Sequence, residues 1–487
     1  MSVPREATIK AMELVRMSVA KARLLEPLYR KSLPVHHEAV VIGGGLAGMT
    51  AALELSGQGF VTHLVEREGE LGGNMRRTRY LLGGEDPQER LKEMVGQVEK
   101  QPLIKCHLGT QVAGVEGFFG NFVTTLKATQ NGGAETRIEH GTIVVATGAE
   151  ELVPTEYLYG ENERVLTARE LEQQIAETDL DGIEQVVMIQ CVGSRSDERP
   201  YCSRICCQQA IKNAIRLKEK KPEAAVFVLY RDVRMYGFLE EHYKKARELG
   251  VIFLRYEAEH KPTVAPGDDG RLVVTVHAPI LDADIKLPAD RVALSAAIVP
   301  HADAKELAQH LKVPLNANGF FLEAHLKLRP VDFATDGIYL CGLAHSPKSG
   351  PESIIQAAGA AGRAGTILAR DQIELDAALS EVIDESCDGC AYCVEPCPYH
   401  AITLIEYKSA GEVKKLVEVD EAKCKGCGVC MATCPKKGIM VRHFKLHQLA
   451  AMVEAALQPP PEYSGSSSKT GPNDLAMLNG GDAESPA

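Results

Sequence analysis

Residues 38–49 read EAVVIGGGLAGM, and this stretch decides the fold because an apolar run, AVVI, leads directly into the spacing GxGxxG. In that spacing Gly43 permits a tight turn, Gly45 lets the backbone approach a diphosphate, and Gly48 lets the next helix pack closely on the strand. The diphosphate then lies at the helix N-terminus. Glu66, which ends the next apolar run, stands where an acid accepts a ribose hydroxyl. The stretch therefore predicts a parallel α/β sheet that binds a dinucleotide.

Three later segments decide between FAD and NAD, which the glycine pattern alone does not separate. They are Gly72-Gly73-Asn74, VVATGA ending at Thr147-Gly148, and GIYLCG at residues 337–342. All three resemble elements of the two-dinucleotide-domain flavoproteins such as thioredoxin reductase, and they favour FAD over NAD. A Rossmann core that has lost its ligand is the alternative. In that family an Asp normally ends the last segment and binds the ribityl chain, whereas here Leu343 follows Gly342. The residues that this resemblance implies as the FAD site are Gly43, Gly44, Gly45, Leu46, Ala47, Gly48, Glu66, Arg67, Gly72, Gly73, Asn74, Ala146, Thr147, Gly148, Cys341, Gly342, Ser353 and Ile354.

Eight of the 14 cysteines form two copies of the spacing CxxCxxCxxxCP near the C-terminus. Three thiolates spaced in this way wrap one iron–sulfur cube, and the fourth reaches the other cube. Zinc ribbons and unligated thiols are the alternatives, but zinc sites use CxxC pairs rather than triplets that end in CP. The segment resembles a bacterial-type two-cluster ferredoxin domain, which moves single electrons. The expected ligand sets are Cys387, Cys390, Cys393 and Cys434 for one 4Fe-4S cluster, and Cys424, Cys427, Cys430 and Cys397 for the second.

A further group of cysteines follows the apolar run QVVMIQ, where flavoproteins of this kind carry a second glycine motif for NAD(P)H. Here Cys191 comes directly after that run, and the glycine pattern is absent. If a helix begins near Ser203, Cys202, Cys206 and Cys207 lie around its start, at the crevice where an open α/β sheet binds its ligand. Four thiolates at this place suggest a third iron–sulfur cluster. Buried or redox-active thiols, or a zinc site, are the alternatives.

The sequence between these motifs carries a wider resemblance. CVGSRSDERPYCSRICCQQAIKN, VLYRDVRMYG, LSAAIVP and GPESIIQAAGAAGRA are similar to the A subunit of heterodisulfide reductase and its bacterial homologues, over roughly residues 1–445. In that family the pattern Cys-x10-Cys-x3-Cys-Cys is a cluster site, which implies the same role for Cys191, Cys202, Cys206 and Cys207. A family lysine near the flavin ring corresponds to Lys212, so the resemblance implies a catalytic role for Lys212. A solvated surface lysine on a helix is the alternative.

Composition excludes several classes of protein. Lys and Arg number 54 against 66 Asp and Glu, so the net charge of −12 argues against a surface that binds nucleic acid. The longest apolar stretch, residues 39–53, is interrupted by four glycines and falls short of the ~20 residues of a membrane helix. The first ten residues contain no apolar signal core, so we expect a cytoplasmic protein with reduced thiols. Cys106 and Cys341 have no cysteine neighbours, and we expect both to be buried core thiols.

The organisation along the chain follows from its length and from alternating apolar runs and helical segments. A length of 487 residues suggests about three domains. We expect an α/β fold, a flavoprotein of two dinucleotide-binding domains with parallel sheets, joined to a small α+β ferredoxin domain. Residues 446–457 could either dock a partner subunit or pack on the ferredoxin domain. The expected segments are a helical arm (1–35), an FAD domain (36–160 and 296–375), a second Rossmann-like domain (161–295), the ferredoxin domain (380–445), and a docking helix with a disordered tail (446–487).

The family resemblance implies an electron-transfer subunit that holds FAD, two 4Fe-4S clusters and a third cluster near the flavin. The implied partners are heterodisulfide reductase B- and C-like subunits, a small iron–sulfur subunit that brings electrons from a hydrogenase or dehydrogenase, ferredoxin, and a second copy of the chain. The resemblance also implies electron bifurcation, in which one electron goes to a higher-potential acceptor and the other to ferredoxin. An NAD(P)H-dependent flavoenzyme that feeds its own ferredoxin domain is one alternative, and a non-catalytic relay or assembly subunit is the other.

Overall fold

A computed structural model describes residues 4–129, 135–268, 270–409 and 412–459 of the chain. The chain divides into two compact units. The larger unit is Ser32–Ile373, and the smaller unit combines Met1–Lys31 with Glu374–Ala487. The finer domain boundaries given above stay a prediction, and the expected disordered tail from residue 460 onward lies outside the described residues.

The described residues form ten α-helices and 24 strands. The helices are α1 (Pro4–Ala22), α2 (Leu46–Gly57), α3 (Pro87–Lys100), α4 (Ala168–Glu177), α5 (Cys206–Lys220), α6 (Glu240–Glu248), α7 (Ala304–Leu311), α8 (Gly350–Leu368), α9 (Val429–Thr433) and α10 (Leu446–Leu457). The strands are β1 (Ser32–Pro34), β2 (Glu38–Ile42), β3 (Val61–Val65), β4 (Ile104–His107), β5 (Thr110–Phe118), β6 (Asn121–Ala128), β7 (Thr136–His140), β8 (Thr142–Val145), β9 (Glu150–Glu151), β10 (Val165–Thr167), β11 (Gln185–Val192), β12 (Ala225–Tyr230), β13 (Ile252–Arg255), β14 (Thr263–Pro266), β15 (Leu272–Ala278), β16 (Ala283–Ala289), β17 (Arg291–Ala296), β18 (Ile298–Val299), β19 (Ile338–Leu340), β20 (Gln372–Glu374), β21 (Ser380–Val382), β22 (Ile402–Ser409), β23 (Glu412–Val419) and β24 (Ile439–Val441).

The larger unit begins with a five-stranded parallel sheet in the order β19-β8-β2-β3-β4. Its central strands β2 and β8 are almost fully buried, because α2 and α8 cover one face and the antiparallel sheet β5-β6-β7 packs toward the other. Continuous apolar runs such as AVVI are what a strand covered on both faces requires. This sheet, with α2 between β2 and β3, is the dinucleotide-binding fold that the first glycine motif predicts.

A second parallel sheet of the larger unit has the order β10-β17-β11-β12-β13. Side chains at alternate positions of β11 point to opposite faces. Val186 and Met188 pack against α4, α5 and α6, whereas Val187 and Ile189 pack against the antiparallel sheet β14-β15-β16. The larger unit therefore has the predicted α/β architecture, with two parallel sheets of the kind expected for two dinucleotide-binding domains.

The smaller unit is built from short antiparallel pairs, β22 with β23 and β21 with β24, around the cysteine-rich segments. Helix α1 packs against α10. Gln448 of α10 is fully buried and donates a hydrogen bond to the backbone oxygen of Leu24, and Lys445 pairs with Glu26 at 2.9 Å. The expected N-terminal arm and C-terminal helix thus cover each other. No described helix is both long enough and apolar enough to cross a membrane.

Candidate cofactor sites

The first glycine loop has an open backbone at Gly45, the position that the motif predicts. A Cβ atom on Gly48 would lie 1.7 Å from the Gly43 carbonyl oxygen, and one on Gly43, whose φ is 109°, would lie 2.4 Å from the Ala146 carbonyl oxygen. These two glycines are required by close packing. A Cβ on Gly45, by contrast, would meet no described atom within 4 Å. The space in front of Gly45 therefore suits a diphosphate that lies against the backbone.

Helix α2 begins directly at this opening. Gly45 is its N-cap and contributes no side-chain hydrogen bond, and the first turn, which contains Leu46 and Ala47, has no acidic residue. The backbone N–H groups of the first turn are therefore uncapped by side chains, and the helix dipole favours an anion there. The loop and the helix together fit the diphosphate of a dinucleotide.

Glu66 stands at the end of β3 beside the glycine loop and is only 8% exposed. Its carboxylate accepts the N–H of Gly44 at 2.6 Å and the N–H of Glu68 at 2.9 Å, so two backbone donors hold it in place. Arg67, the next residue, instead points outward and pairs with Asp303 at 3.1 Å. Of the two predicted residues, Glu66 is thus the one at the carboxyl edge of the sheet, where a ribose would bind.

The segment Gly72-Gly73-Asn74 packs onto the same loop. The N–H of Gly72 donates to the Gly44 carbonyl oxygen at 2.9 Å, and a Cβ on Gly73 would lie 3.2 Å from the Gly45 Cα. Asn74 donates from Nδ2 to the Ala149 carbonyl oxygen at 3.0 Å. This segment therefore ties the glycine loop to the residues that follow β8.

The ends of β8 and β19 complete the same edge. The N–H of Cys341 donates to the Val145 carbonyl oxygen at 2.9 Å, and Ala146, Thr147 and Gly148 follow β8 there. Gly342 has a φ of 69°, and a Cβ there would lie 2.8 Å from the Ala47 Cβ. Cys341 is fully buried, as predicted, and burial raises the pKa of its thiol to about 12. The predicted loops thus converge along one edge of the sheet, and the residues present fit a dinucleotide.

Helix α8 begins at this edge with a capping box. Ser349 accepts the N–H of Glu352 at 3.4 Å, and Glu352 accepts the N–H of Ser349 at 2.7 Å. The two predicted residues in its first turns are Ser353, which is buried, and Ile354, which is partly buried. The capping box fixes the start of α8 and hence the position of the residues just before it.

Lys348, which precedes this capping box, is a residue that sequence reasoning missed. It is 7% exposed, and its Nζ donates to the Gly342 carbonyl oxygen at 2.6 Å. Burial lowers the pKa of Lys348 to about 8, and the nearby Arg204 guanidinium contributes to the fall. The signal in the sequence is a lysine placed directly before Ser-Gly-Pro-Glu, since such a residue is held at the helix N-terminus.

The second group of thiols lies at the carboxyl edge of the second sheet. Cys191, near the end of β11, has a φ of 63°, a left-handed conformation that L-residues rarely adopt. Cys206 and Cys207 are buried in the first turn of α5, and Cys202 lies in the preceding loop, where its sulfur accepts the Arg204 N–H at 3.3 Å. The structure therefore brings the end of a strand and the start of a helix together at the expected crevice.

The four thiols influence one another's pKa values because they lie close together. Burial raises the pKa of Cys191, and the neighbouring Cys207 and Cys202 raise it further. A hydrogen bond with the Cys207 side chain raises the pKa of Cys206, and burial adds to that effect. The same hydrogen bond lowers the pKa of Cys207. Each of the four sulfurs is thus within electrostatic range of the group.

The donor chemistry of this group, four thiols, fits a 4Fe-4S cluster. Across residues 4–129, 135–268, 270–409 and 412–459, no three His, Cys, Asp or Glu side chains are placed to hold one ion. In a four-iron cluster each thiolate binds a different iron, so the sulfurs stand further apart than around one zinc ion. The four-thiol set is therefore compatible with a 4Fe-4S cluster, and the choice between a cluster and a zinc ion stays a prediction.

In the smaller unit six of the eight cassette cysteines belong to one apolar core. Cys393, Cys397, Cys424 and Cys430 are buried, Cys387 and Cys434 are partly buried, and Cys390 and Cys427 are exposed. Burial raises the pKa of Cys393 to about 11, and Cys430, Cys434 and Cys387 contribute to the rise. Cys434, from the second copy of the motif, therefore lies near cysteines of the first copy.

Backbone N–H groups already point at several of these sulfurs. Ser380 donates to the Cys424 sulfur at 3.4 Å, Ala401 to the Cys397 sulfur at 3.4 Å, and Gly438 to the Cys434 sulfur at 3.2 Å. Hydrogen bonds to sulfur are one of the means by which a protein sets the potential of an iron–sulfur cluster. The segment is thus arranged for cluster ligands rather than for a disulfide.

The structure contradicts the expected burial of Cys106 and the alternative that Lys212 is a solvated surface lysine. Cys106 is exposed rather than buried, because β4 is the edge strand of the first sheet and its side chains have strand neighbours on one side only. Lys212 is not a solvated surface lysine: its side chain is 10% exposed and pairs with Glu172 at 2.8 Å. Lys212 also donates to the Tyr80 carbonyl oxygen at 3.0 Å. Its action on a flavin stays a prediction.

Comparison with known families matches two parts of the chain. Residues 37–189 match the pyridine nucleotide-disulphide oxidoreductase family, and residues 386–438 match the 4Fe-4S dicluster domain. These matches cover the first glycine loop and the eight cassette cysteines. They agree with an FAD-binding redox domain followed by a ferredoxin-type iron–sulfur domain.

Comparison with whole proteins extends over most of the chain. The A subunit of the H(2):CoB-CoM heterodisulfide,ferredoxin reductase of Methanothermobacter marburgensis is 35% identical over 94% of this chain and 82% of its own length. The A subunit of the H(2)/formate:CoB-CoM heterodisulfide,ferredoxin reductase of Methanococcus maripaludis is 30% identical over 82% of this chain and 74% of its own length. Among solved structures, thioredoxin reductase of Lactococcus lactis is 18% identical over 68% of this chain and 99% of its own, with a TM-score of 0.48.

Proposed function

The chain belongs to the family of heterodisulfide reductase A subunits, and from that premise we propose that it exchanges electrons between FAD and three 4Fe-4S clusters rather than with a nicotinamide. As a member of the family it is an oxidoreductase subunit with an FAD-binding domain and a 4Fe-4S dicluster domain. One observation carries the proposal: Cys191, Cys202, Cys206 and Cys207 lie at the crevice of the second sheet. A nicotinamide would require glycines at that place.

The FAD is held, on this proposal, along the carboxyl edge of the first sheet. Gly45 and the start of α2 would receive the diphosphate, and Glu66 would bind the ribose of the adenosine half. FAD supplies the exchange between two-electron and one-electron chemistry that clusters alone cannot perform. The chain's own residues contribute the open backbone at Gly45, the uncapped helix start and the fixed carboxylate of Glu66.

The clusters are assigned by the spacing and burial of their thiols. Cys387, Cys390, Cys393 and Cys434 would hold one cluster, and Cys424, Cys427, Cys430 and Cys397 the second. The assignment of Cys434 to the first set and of Cys397 to the second follows the spacing of the two motifs. Cys191, Cys202, Cys206 and Cys207 would hold the third cluster. The buried position of the last two limits contact of that cluster with water.

The relatives' names point to the wider reaction, which we propose for this chain as well. Those names mention H2, formate, the CoB-CoM heterodisulfide and ferredoxin. We propose that the chain works with B- and C-like subunits and with a small iron–sulfur subunit fed by a hydrogenase or dehydrogenase. In this scheme it divides electron pairs between a higher-potential acceptor and ferredoxin, as a dimer of the chain within a larger complex.

Anaerobic reduction of the purified full-length chain tests the choice of electron donor. We expect NADH and NADPH to leave the flavin absorbance unchanged and reduced ferredoxin to bleach it. Rapid bleaching by either nucleotide would contradict the proposal and favour the nucleotide-dependent flavoenzyme. A matched pair of variants separates the third cluster from general damage. Cys206→Ser should remove one cluster signal from the electron paramagnetic resonance spectrum, and the exposed Cys106→Ser should not.

A further inference from the structure

Lys348 is a buried cation that has no carboxylate partner among the described residues. Its three N–H donors go to the Gly342 carbonyl oxygen at 2.6 Å and to two oxygens of Ser346, the carbonyl at 2.9 Å and the hydroxyl at 3.2 Å. All three acceptors are neutral. Buried charges are normally paired with an opposite charge, because an unpaired one is expensive to remove from water. A negative group beside Lys348 would therefore relieve this cost.

The position of Lys348 identifies which part of a bound FAD would be its neighbour. The first sheet runs β19-β8-β2-β3-β4, and Glu66, at the end of β3, marks the ribose of the adenosine half. Since the diphosphate lies at the start of α2, between β2 and β3, the other half of the dinucleotide must extend the opposite way, over the ends of β8 and β19. Gly342, which Lys348 contacts, follows β19. Lys348 thus lies at the flavin end.

Charged groups surround Lys348, but no described carboxylate contacts its ammonium. It lies just before α8, whose N-terminus carries the positive end of the helix dipole. Arg204 donates to the Pro347 carbonyl oxygen at 3.2 Å and pairs with Glu352 at 2.5 Å, so the carboxylate of Glu352 is already engaged. In addition, Leu343 occupies the position where the related flavoproteins carry an Asp. Glu323, the other carboxylate within electrostatic range of Lys348, accepts a hydrogen bond from His345 at 2.9 Å, so neither nearby carboxylate contacts the Lys348 ammonium.

We propose that Lys348 is a flavin-binding residue whose fixed positive charge stabilises the negative charge that the flavin ring carries when it is reduced. The assignment rests on the proposed FAD site. Reduced flavin is negative at the N1–C2=O end of its ring near neutral pH, and a cation held beside that end favours the reduced form. Because hydrogen bonds to Gly342 and Ser346 fix the ammonium group before the flavin is reduced, little reorganisation is needed.

Sulfite provides a test that does not depend on turnover. Its sulfur lone pair adds to N5 of oxidised flavin, no group leaves, and the electron pair moves to the N1–C2=O end, which becomes negative. We would titrate the full-length oxidised protein with sulfite and follow the loss of flavin absorbance. Lys348→Met should bind sulfite roughly 16- to 270-fold more weakly, as expected for the loss of one charge about 5–10 Å away at an effective dielectric of ~20. Lys305→Met, an exposed lysine on α7, is the control and should match the wild type.

The outcomes separate this inference from the proposed function. Absence of FAD from the wild-type chain would refute the proposed function itself. FAD binding with equal sulfite affinity in the wild type and Lys348→Met would overturn the role of Lys348 alone. Lys348→Gln, which is neutral but keeps N–H donors for Gly342 and Ser346, serves if Lys348→Met does not fold. If Lys348→Met and Lys348→Gln both lose FAD but keep a normal iron content, while Lys305→Met keeps its FAD, the flavin-binding role is supported.

Discussion

Removal of the Lys212 charge should destabilise the larger unit, because it leaves Glu172 buried without its cation. The two side chains are 10% and 3% exposed, and the Lys212 Nζ lies 2.8 Å from a Glu172 carboxylate oxygen. The other oxygen of Glu172 accepts the Arg79 N–H at 2.7 Å. In Lys212→Met only this backbone hydrogen bond would still compensate the carboxylate.

The size of the effect follows from the distance and the burial. At 2.8 Å and an effective dielectric of ~20, the attraction between the charges is about 6 kcal/mol before desolvation is counted. Removal of one partner from a buried pair typically costs 3–5 kcal/mol, since the remaining charge stays desolvated, and we expect about 4 kcal/mol for Lys212→Met. Lys212→Met combined with Glu172→Gln removes both charges and keeps an acceptor for Arg79. The double variant should recover most of the loss.

Urea unfolding of the full-length chain, followed by circular dichroism and by the fluorescence of released FAD, measures these differences. The reasoning predicts that the double variant is more stable than Lys212→Met alone. A double variant no more stable than the single one, or a single variant as stable as the wild type, would refute a buried ion pair. The same variants address the family lysine: a change in sulfite affinity in Lys212→Met that Glu172→Gln does not share would show that Lys212 also acts on the flavin.

Three further predictions concern the FAD loop and a buried histidine. Gly48→Ala should abolish FAD binding, measured as flavin absorbance after purification, because its Cβ would lie 1.7 Å from a backbone oxygen. Gly45→Ala should leave the fold intact by circular dichroism but weaken FAD binding at least tenfold. Gly57→Ala, a control at the end of α2 where a Cβ is equally unobstructed, should bind FAD like the wild type. Equal FAD affinity in Gly45→Ala and Gly57→Ala would contradict the proposed position of the diphosphate. Burial lowers the pKa of His140 to about 3, so the unfolded chain binds more protons between pH 6.5 and 3, and stability should fall by ~5 kcal/mol as the pH is lowered across that range. In His140→Gln, acid unfolding measured by circular dichroism should lose part of this pH dependence, and an unchanged pH profile would contradict it.

The parts of the site that depend on backbone geometry could be predicted from sequence. Gly43 and Gly48 are identified by spacing, since the turn and the close packing leave no space for a side chain. The third cysteine group could be placed at the end of β11 for a similar reason: a parallel strand directs its carboxyl end toward the ligand crevice. Both features can be predicted because they depend on residues that are close together in the sequence.

The features that sequence did not predict depend on contacts between distant segments. Lys348 is buried because the loop after β19 folds back on Gly342, and Lys212 is buried because α4 brings Glu172 against α5. Nothing in the residues around Lys212 distinguishes it from a solvated lysine, and the Ser-Gly-Pro-Glu that follows Lys348 places that lysine before a helix without indicating its burial. The sequence predicts that Cys106 is buried, but it is exposed, because its strand, β4, lies at the edge of the sheet. Packing of α1 against α10 likewise joins segments that are more than 400 residues apart in the chain.

Iron and flavin content of the anaerobically purified full-length chain is the most direct test of the central claim that four thiols replace a nicotinamide site. The account predicts about 12 iron atoms per FAD, from three four-iron clusters. Cys206→Ser combined with Cys207→Ser should lower this ratio to about 8 while FAD remains bound, and Cys106→Ser should leave it unchanged. A wild-type ratio of about 8, or a ratio that the double substitution does not alter, would contradict the account.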